Sequence, residues 1–354
     1  MTNDALRIAI VSPLFESVPP RLYGGTERVV SYLTEELVAQ GHAVTLFASG
    51  DSQTRANLRP MTERGLRLDP GCRDPLTHHV IMIDQVIDAA SEFDAIHFNI
   101  DYWHFPLSRR LRLPAITTLH GRLDIPDLVP LYRYFHDAPL VSISDSQRAP
   151  LPQANWVTTI HHGVPEDCYT FRERRGSYLA FLGRISPEKR PDRAIRIARC
   201  AGVPLKIAAK VDRVDQAYFE EQIRPLLAGP GVEFIGEINE REKDDFLGEA
   251  LALLFPIDWP EPFGLVMIES MACGTPVIGW RCGSVPEVLE EGVTGYIVDN
   301  EDDAVAAIDK CDAHDRARCR LAFEARYTAS RMARDYVEIY RQLDRETRPI
   351  PSTS

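Results

Sequence analysis

Two glutamates bracket the segment of the chain that is best suited to chemistry. Glu261 stands in a loop with Pro262 and Gly264, and Glu269 follows about one turn into an apolar run. Such a loop exposes unpaired backbone N–H groups at a helix N-terminus, where the helix dipole attracts an anion. Carboxylates repel a bare anion but accept hydrogen bonds from hydroxyl groups well. The pattern therefore suits a nucleotide-sugar, which carries hydroxyls on both sides of a diphosphate. The alternative is an ordinary helix start with an acidic first turn.

Two loops in the first half of the chain also have unusual residues. Gly24 and Gly25 precede a helical pattern, and paired glycines let a backbone approach an anion closely, with Thr26 as a possible N-cap. His120 stands beside Gly121 at the end of an apolar run. Each feature has a structural alternative, which is a plain turn for the glycines and a packed side chain for the histidine.

Two loops in the second half of the chain concentrate charge or turn residues. Arg184, Lys189 and Arg190 precede a helix that starts with Pro191, and cations in such a loop favour phosphate binding over a solvated surface. The segment 282–287 forms another tight turn that opens a helix and ends in a glutamate.

Short apolar runs alternate with helical patterns along the chain. The predicted strands are 6–11, 43–48, 95–98, 115–119, 140–143, 178–182, 205–209, 232–235, 252–255, 276–279 and 295–298, and the clearest predicted helices are 26–40, 191–200, 216–227 and 329–344. This alternation predicts an α/β protein with parallel sheets covered on both faces. The pattern restarts after a charged stretch at 163–176, which predicts two doubly wound domains. Ligands of such sheets bind beyond the carboxyl ends of the strands, where the four loops lie.

Composition narrows the class of protein. A chain of 354 residues exceeds the usual size of a single core, which also favours two domains. The net charge of −12 argues against a nucleic-acid partner and against charge-driven docking on an anionic membrane. Stable membrane insertion is not expected either, because no apolar stretch approaches the length needed to span a bilayer. Seven cysteines without a Cys-x-x-Cys pair, and a start that lacks the pattern of a signal peptide, predict a cytoplasmic protein with reduced thiols.

Together these segments resemble the retaining glycosyltransferases of family 4. The 184–189 loop, the Glu-Pro-Phe-Gly-Leu segment that continues through Glu269 to 277, and the 283–287 turn occur in the family's order and spacing. The resemblance covers nearly the whole chain, and its Tyr-Gly-Gly-Thr-Glu-Arg start is similar to a bacterial short-chain subgroup. It implies the GT-B fold of two facing Rossmann-like domains. Residues 1–168 would form the acceptor domain, completed by a terminal helix at 329–346, and residues 169–328 would form the donor domain.

The resemblance also implies roles for particular residues. Glu269 would bind the ribose hydroxyls of the donor, and Glu261 would lie near the hydroxyls of the sugar ring. Arg184 and Lys189 would hold the diphosphate, and His120 would lie near the transferred sugar. The remaining donor-binding positions implied by the family are Gly24, Gly25, Phe263, Gly264, Leu265 and Glu287. Where the family commonly has Asn-Gly after the interdomain strand, this chain has His162 and Gly163.

No metal cofactor is expected. The sequence has no clustered Asp-x-Asp near a strand end and no His/Cys set with ligand spacing, so Arg184, Lys189 and the helix N-terminus would neutralise the departing diphosphate. The resemblance implies retention of configuration by same-face attack. UDP-glucose is the favoured donor, with GDP-mannose and UDP-N-acetylglucosamine as alternatives. The acceptor is left open between a small molecule, a glycan and a lipid headgroup.

Three other functions share features of this pattern. A sugar-nucleotide epimerase has a similar architecture but different motifs, and a glycan phosphorylase would need a lysine for pyridoxal phosphate. A catalytically silent sugar-nucleotide-binding protein of the same fold is the main alternative to an enzyme. Trp259, beside the acidic loop, is predicted to be a packing residue, with an aromatic platform for a sugar as the alternative.

Overall fold

The computed structural model describes residues 5–347, which divide into two compact units. The first unit contains the chain up to Ile143, Arg148–Gly163 and the segment that begins at Ala329. The second unit contains Ser144–Gln147 and Val164–Thr328.

The first unit is built on a 7-stranded sheet in which every pair of neighbours is parallel. Its strands are β1 (Arg7–Val11), β2 (Ala43–Ser49), β3 (Asn57–Thr62), β4 (Ala95–Phe98), β5 (Ala115–Thr118), β6 (Leu140–Ser142) and β7 (Trp156–Thr159), in the order β3-β2-β1-β4-β5-β6-β7. The sequence did not predict β3 and β7. Both lie at sheet edges and are only half-buried, so they lack the continuous apolar run of a central parallel strand.

Four helices of the first unit precede its sixth strand: α1 (Gly25–Ala39), α2 (Pro75–Asp88), α3 (Phe105–Leu111) and α4 (Leu128–Tyr134). Helix α1 starts one residue earlier than expected, because Gly24 is its N-cap, and no side chain caps the helix. Thr26 is therefore inside the helix, and its suggested role as N-cap is wrong. A Cβ atom on Gly24 would lie 2.8 Å from Cβ of Pro20, so this position requires glycine for steric reasons.

The second unit contains a 6-stranded parallel sheet. Its strands are β8 (Tyr178–Arg184), β9 (Leu205–Lys210), β10 (Val232–Gly236), β11 (Ala250–Phe255), β12 (Val277–Trp280) and β13 (Gly295–Val298), in the order β10-β9-β8-β11-β12-β13. Both units are thus parallel sheets with alternating helices, which confirms the predicted α/β fold of two doubly wound domains.

The helices of the second unit begin with the short α5 (Asp145–Arg148), most of which clusters with this unit. The others are α6 (Pro191–Ala201), α7 (Gln216–Tyr218), α8 (Arg224–Leu227), α9 (Glu240–Gly248), α10 (Leu265–Ala272), α11 (Val285–Val288), α12 (Glu301–Cys311) and α13 (Arg316–Arg326). The predicted helix 216–227 is interrupted by a π-helical turn at Phe219–Ile223. Pro225 follows this turn and has no N–H group, so it cannot continue the regular pattern of hydrogen bonds.

The last helix, α14 (Ala329–Thr347), belongs to the first unit and begins where the sequence predicted. Its Tyr336 hydroxyl lies 2.8 Å from Oγ1 of Thr118, and its Tyr340 hydroxyl lies 2.8 Å from Nδ1 of His97. His97 in turn lies 2.7 Å from Thr118 through Nε2. This buried polar network ties α14 to the adjacent strands β4 and β5.

Buried histidines of the first unit make its stability depend on pH. Burial lowers the pKa of His97 and His104 to about 3 each, from an ordinary value near 6.5. Below pH 6.5 the unfolded chain therefore binds protons that the folded chain does not bind until about pH 3. We expect the thermal midpoint to fall as the pH is lowered from 6.5 towards 4, as measured by circular dichroism.

The variant His97→Gln isolates this effect from that of the carboxylates. Glutamine cannot be protonated in this range, so the variant should lose less stability than the wild type over the same pH interval, whatever its stability at pH 7. Equal pH dependence in the two proteins would contradict a contribution from His97.

Candidate functional site

The loop after β11 leads into α10 through a residue that only glycine suits. Gly264 is the N-cap of α10 with φ 80° and ψ 70°, and no side chain caps the helix. A Cβ atom at this position would lie 2.9 Å from the Met267 side chain and 3.0 Å from the Phe255 ring. At any helix start the first N–H groups lack a carbonyl one turn earlier in the helix, and of those in α10 Met267 donates its N–H to the carbonyl of Gly264 at 3.0 Å. The structure therefore forms the uncapped helix N-terminus at Gly264 and Leu265 that the sequence predicted.

Glu261 is held by two side chains. The indole Nε1 of Trp259 donates a hydrogen bond to its Oε2 atom at 2.8 Å, and Nζ of Lys189 donates to the same oxygen. The ammonium group of Lys189 also lies 5.0 Å from the centre of the Trp259 ring. Trp259 thus orients the side chain of Glu261. The sequence predicted either a packing role or an aromatic platform for this tryptophan, and neither included this hydrogen bond.

A second loop fixes the backbone around Glu261. Gly283 has φ 56°, and a Cβ atom there would overlap the backbone nitrogen of Glu261. Ser284 donates its N–H to the carbonyl of Glu261 at 3.0 Å and its hydroxyl to the carbonyl of Phe263 at 2.7 Å. The turn at 283–287 therefore positions the loop before α10.

Arg184 ends strand β8 among carboxylates. Its guanidinium donates to Glu188 at 3.2 Å and to Asp212 at 3.5 Å, and Lys210 also contacts Asp212 at 3.1 Å. Burial acts to raise the pKa of Asp212, but Lys210 and Arg184 outweigh it and the pKa is lowered. The carboxylate is therefore ionised at neutral pH and holds two cations at the carboxyl end of the sheet.

Ser186 lies between the two cations in sequence and was not singled out as a site residue. The residue is 1% exposed, and its Oγ atom has no hydrogen-bond partner among residues 5–347. A buried hydroxyl without a partner is costly, so Ser186 adds a polar group suited to a ligand beside Arg184 and Lys189. No sequence pattern marks it, because its burial depends on tertiary packing.

Glu269 lies inside α10 with a side chain that is only 3% exposed. Its Oε1 atom lies 3.2 Å from Nζ of Lys243 in α9, and the same ammonium group lies 3.3 Å from Glu240. A buried carboxylate needs such a partner. The sequence identified the carboxylate but missed Lys243.

Glu287 makes a different kind of contact. Its carboxylate accepts hydrogen bonds from the backbone N–H groups of Asp145, at 2.9 Å, and Ser146, at 3.2 Å. It therefore caps the start of α5 within the second unit, and its contact with a donor stays a prediction.

The first unit places His120 just beyond β5. Its Nε2 atom lies 2.8 Å from Oδ1 of Asn99, and its ring stacks on His162 with centres 5.3 Å apart. Burial lowers the pKa of His120 to about 4, so the ring is neutral at physiological pH. The structure thus shows that Asn99 is the hydrogen-bond partner of His120, and that the unusual His162 stacks on the His120 ring. Gly25, in the same unit, has open space where a Cβ atom would lie.

Chemically, the second unit combines an uncapped helix start with cations and carboxylates at one edge of a parallel sheet. The helix start and the side chains of Arg184 and Lys189 are suited to a diphosphate, and Glu261 and Glu269 are suited to hydroxyl groups. Within the described residues, no group of three or more His, Cys, Asp or Glu side chains is arranged to hold a metal ion. No helix of residues 5–347 is both long enough and apolar enough to cross a membrane.

Two family models match successive parts of the chain. "Glycosyltransferase Family 4" matches residues 23–147, and "Glycosyl transferases group 1" matches residues 172–326. A D-inositol 3-phosphate glycosyltransferase of Mycobacterium sp. (strain KMS) is 31% identical over 170 residues, which cover 41% of this chain. The aligned part is 36% of that relative's length, so the match does not establish the relative's activity for this chain.

Solved structures are similar over almost the entire chain. AviGT4, a glycosyltransferase involved in avilamycin A biosynthesis, is 25% identical with a TM-score of 0.73, and the match covers 96% of this chain and 98% of AviGT4. Anabaena Alr3699/HepE in complex with UDP and glucose is 18% identical with a TM-score of 0.74, covering 95% of this chain and all of the neighbour, and it supports the fold alone. With the two family models and the site in the second unit, these similarities show that the chain belongs to the family 4 glycosyltransferases of the GT-B fold.

Proposed function

We propose that this enzyme transfers a hexosyl unit from UDP-glucose to an acceptor hydroxyl, with retention of configuration and without a metal ion. The observation that carries the proposal is the uncapped start of α10, with the Glu261–Lys189 pair before it and the buried Glu269 inside it. The choice of UDP-glucose follows the donor favoured by the family resemblance, and a neighbour of the same fold is described in complex with UDP and glucose. GDP-mannose and UDP-N-acetylglucosamine are the alternative donors. The titration below distinguishes GDP-mannose by its base, and the transfer assay that follows it distinguishes UDP-N-acetylglucosamine by its sugar.

The residues of the second unit take the following roles in the proposal. The carboxylate of Glu269 accepts hydrogen bonds from the ribose hydroxyls. Arg184, Lys189 and the N–H groups that follow Gly264 neutralise the diphosphate. The carboxylate of Glu261 accepts a hydrogen bond from a hydroxyl of the sugar. Because Glu261 is paired with Lys189, its contact with the sugar is coupled to the contact of Lys189 with the diphosphate.

The remaining roles concern backbone and the first unit. Phe263 and Leu265 contribute backbone contacts to the donor. Gly24 and Gly25 allow the backbone of their loop to approach the donor closely, and the side chain of His120 contacts the transferred sugar.

The proposed mechanism follows from the distribution of charge. The bond between the anomeric carbon and the phosphate oxygen breaks, the acceptor oxygen bonds to the same face of that carbon, and the acceptor proton passes to the departing phosphate. The leaving group gains negative charge in the transition state, where preorganised cations and N–H donors stabilise it most. Glu261 is already bonded to Lys189 and Trp259, which supports a binding role rather than a covalent one.

The acceptor and the location of the reaction belong to the proposal as well. A small molecule, a glycan or a lipid headgroup each offers the hydroxyl that the reaction needs. We propose that the enzyme works in the cytoplasm, where its seven free cysteines remain reduced.

Calorimetric titration with UDP and with GDP, each in the presence of EDTA, tests the proposal. We expect micromolar binding of UDP and much weaker binding of GDP. Preference for GDP would overturn the choice of donor, and binding that requires added Mg²⁺ would overturn the metal-free site. Hydrolysis or transfer of radiolabelled glucose from UDP-glucose then tests the sugar directly.

A further inference from the structure

Three central strands of the first unit end in polar side chains. Strand β4 lies between β1 and β5, and the residues that follow these strands include Ser12, Asn99 and His120. Two buried atoms of this row, Oγ of Ser12 and Nδ1 of His120, have no hydrogen-bond partner among residues 5–347. Buried polar atoms are normally paired, so these two atoms mark a place where a polar ligand group fits.

The side chain of Asn99 has one orientation that satisfies its neighbours. Its backbone N–H and its Nδ2 group both lie near the carbonyl of Val11, at 2.9 Å and 3.4 Å. A carbonyl only accepts, so the donor end of the amide faces Val11 and the Oδ1 end faces His120. Because Oδ1 also only accepts, Nε2 of His120 must carry the hydrogen of the 2.8 Å bond.

The tautomer of His120 follows from this bond. A neutral imidazole carries one hydrogen, and with that hydrogen on Nε2 the buried Nδ1 atom has a free lone pair. Stacking on His162, with the two ring planes 18° apart, restricts rotation of the imidazole. The ring therefore presents an acceptor of fixed direction.

We propose that Asn99 is a positioning residue that fixes His120 in its Nε2–H tautomer, so that Nδ1 accepts a hydrogen bond from a hydroxyl of the ligand. The inference rests on the proposed function for the identity of that ligand, a sugar. It deepens that function by assigning the direction of the hydrogen bond: the sugar donates and the protein accepts.

Long-range ¹H–¹⁵N spectra of the histidine rings test the tautomer without any assay of activity. The signals of His120 are those that disappear in His120→Gln. We expect the wild type to show a protonated Nε2 and an unprotonated Nδ1 at pH 7. In Asn99→Ala the Nδ1–H form should appear, whereas Asn99→Asp keeps an acceptor oxygen and should keep the Nε2–H form. The surface variant Asn155→Ala is the matched control and should leave the spectrum of His120 unchanged.

Transfer kinetics provide the second measurement. We expect kcat/KM to fall about tenfold in Asn99→Ala, the effect of about 1.4 kcal/mol from a misdirected hydrogen bond, and Asn99→Asp to be affected less at pH 7. An Nδ1–H form in the wild type, or an unchanged tautomer in Asn99→Ala, would overturn the inference. If the wild type transferred no sugar, the proposed function would fail while the spectra would still decide the role of Asn99.

Discussion

Replacing Arg184 by alanine should lower kcat about 100-fold and change the affinity for UDP only a few-fold. The guanidinium stands at the carboxyl end of β8, where the departing diphosphate is proposed to lie, and its charge counts most when the leaving group is most negative. Removing one such donor typically costs about 3 kcal/mol of transition-state stabilisation. Steady-state kinetics and calorimetric titration with UDP measure the two effects separately.

The fold should tolerate this substitution, because Asp212 keeps its contact with Lys210 when Arg184 is lost. Arg224→Ala is a matched control, since Arg224 is an exposed arginine of the same unit that also pairs with a carboxylate, Glu220. A turnover of Arg184→Ala within a few-fold of the wild type would show that Arg184 does not stabilise the leaving group.

Replacing Glu269 by alanine should weaken the binding of UDP about 10- to 150-fold. The carboxylate is nearly enclosed by protein, so hydrogen bonds to the ribose hydroxyls would be shielded from water, and bonds to a charged group contribute about 1.5–3 kcal/mol. A comparison of UDP with 2′,3′-dideoxy-UDP makes the measurement specific. The wild type should prefer UDP, and the variant should bind both ligands equally.

Glu240→Gln is the control for this experiment. It alters the other carboxylate beside Lys243 but leaves Glu269 in place, so discrimination between the two nucleotides should persist. If Glu269→Ala still preferred UDP by the wild-type factor, Glu269 would have a structural role with Lys243 and no contact with the ribose.

The sequence predicted the strands of the second sheet and the interior strands of the first, but it missed both edge strands of the first sheet. Strand β11 is buried along its whole length and consists only of alanine, leucine and phenylalanine, and such a continuous apolar run can be recognised without a structure. Strand β3 contains Arg59 and Pro60 and pairs on one side only, so neither its composition nor its periodicity separates it from a loop. The π-helical turn before Arg224 also required the structure, because the apolar spacing of its flanks suits a regular helix.

The candidate site divides in a similar way. Glu261, Gly264 and Glu269 lie in one short segment, so their local pattern predicted an anion site beside carboxylates that accept hydrogen bonds from hydroxyl groups. The partners Lys189 and Lys243 come from other elements, and the contacts depend on how strands and loops are placed in three dimensions. The contact of Asn99 with His120 could not be predicted for the same reason, since only the adjacency of β4 and β5 brings the two residues together.

The first unit takes its strands from the early part of the chain and its last helix from a segment beyond the second unit. During synthesis, His97 and Thr118 therefore leave the ribosome long before Tyr336 and Tyr340, which are their buried partners. The residues of the second unit have all been made by the time α14 appears. The N-terminal unit of this protein thus reaches its final packing last, which reverses the order in which successive domains usually fold on the ribosome.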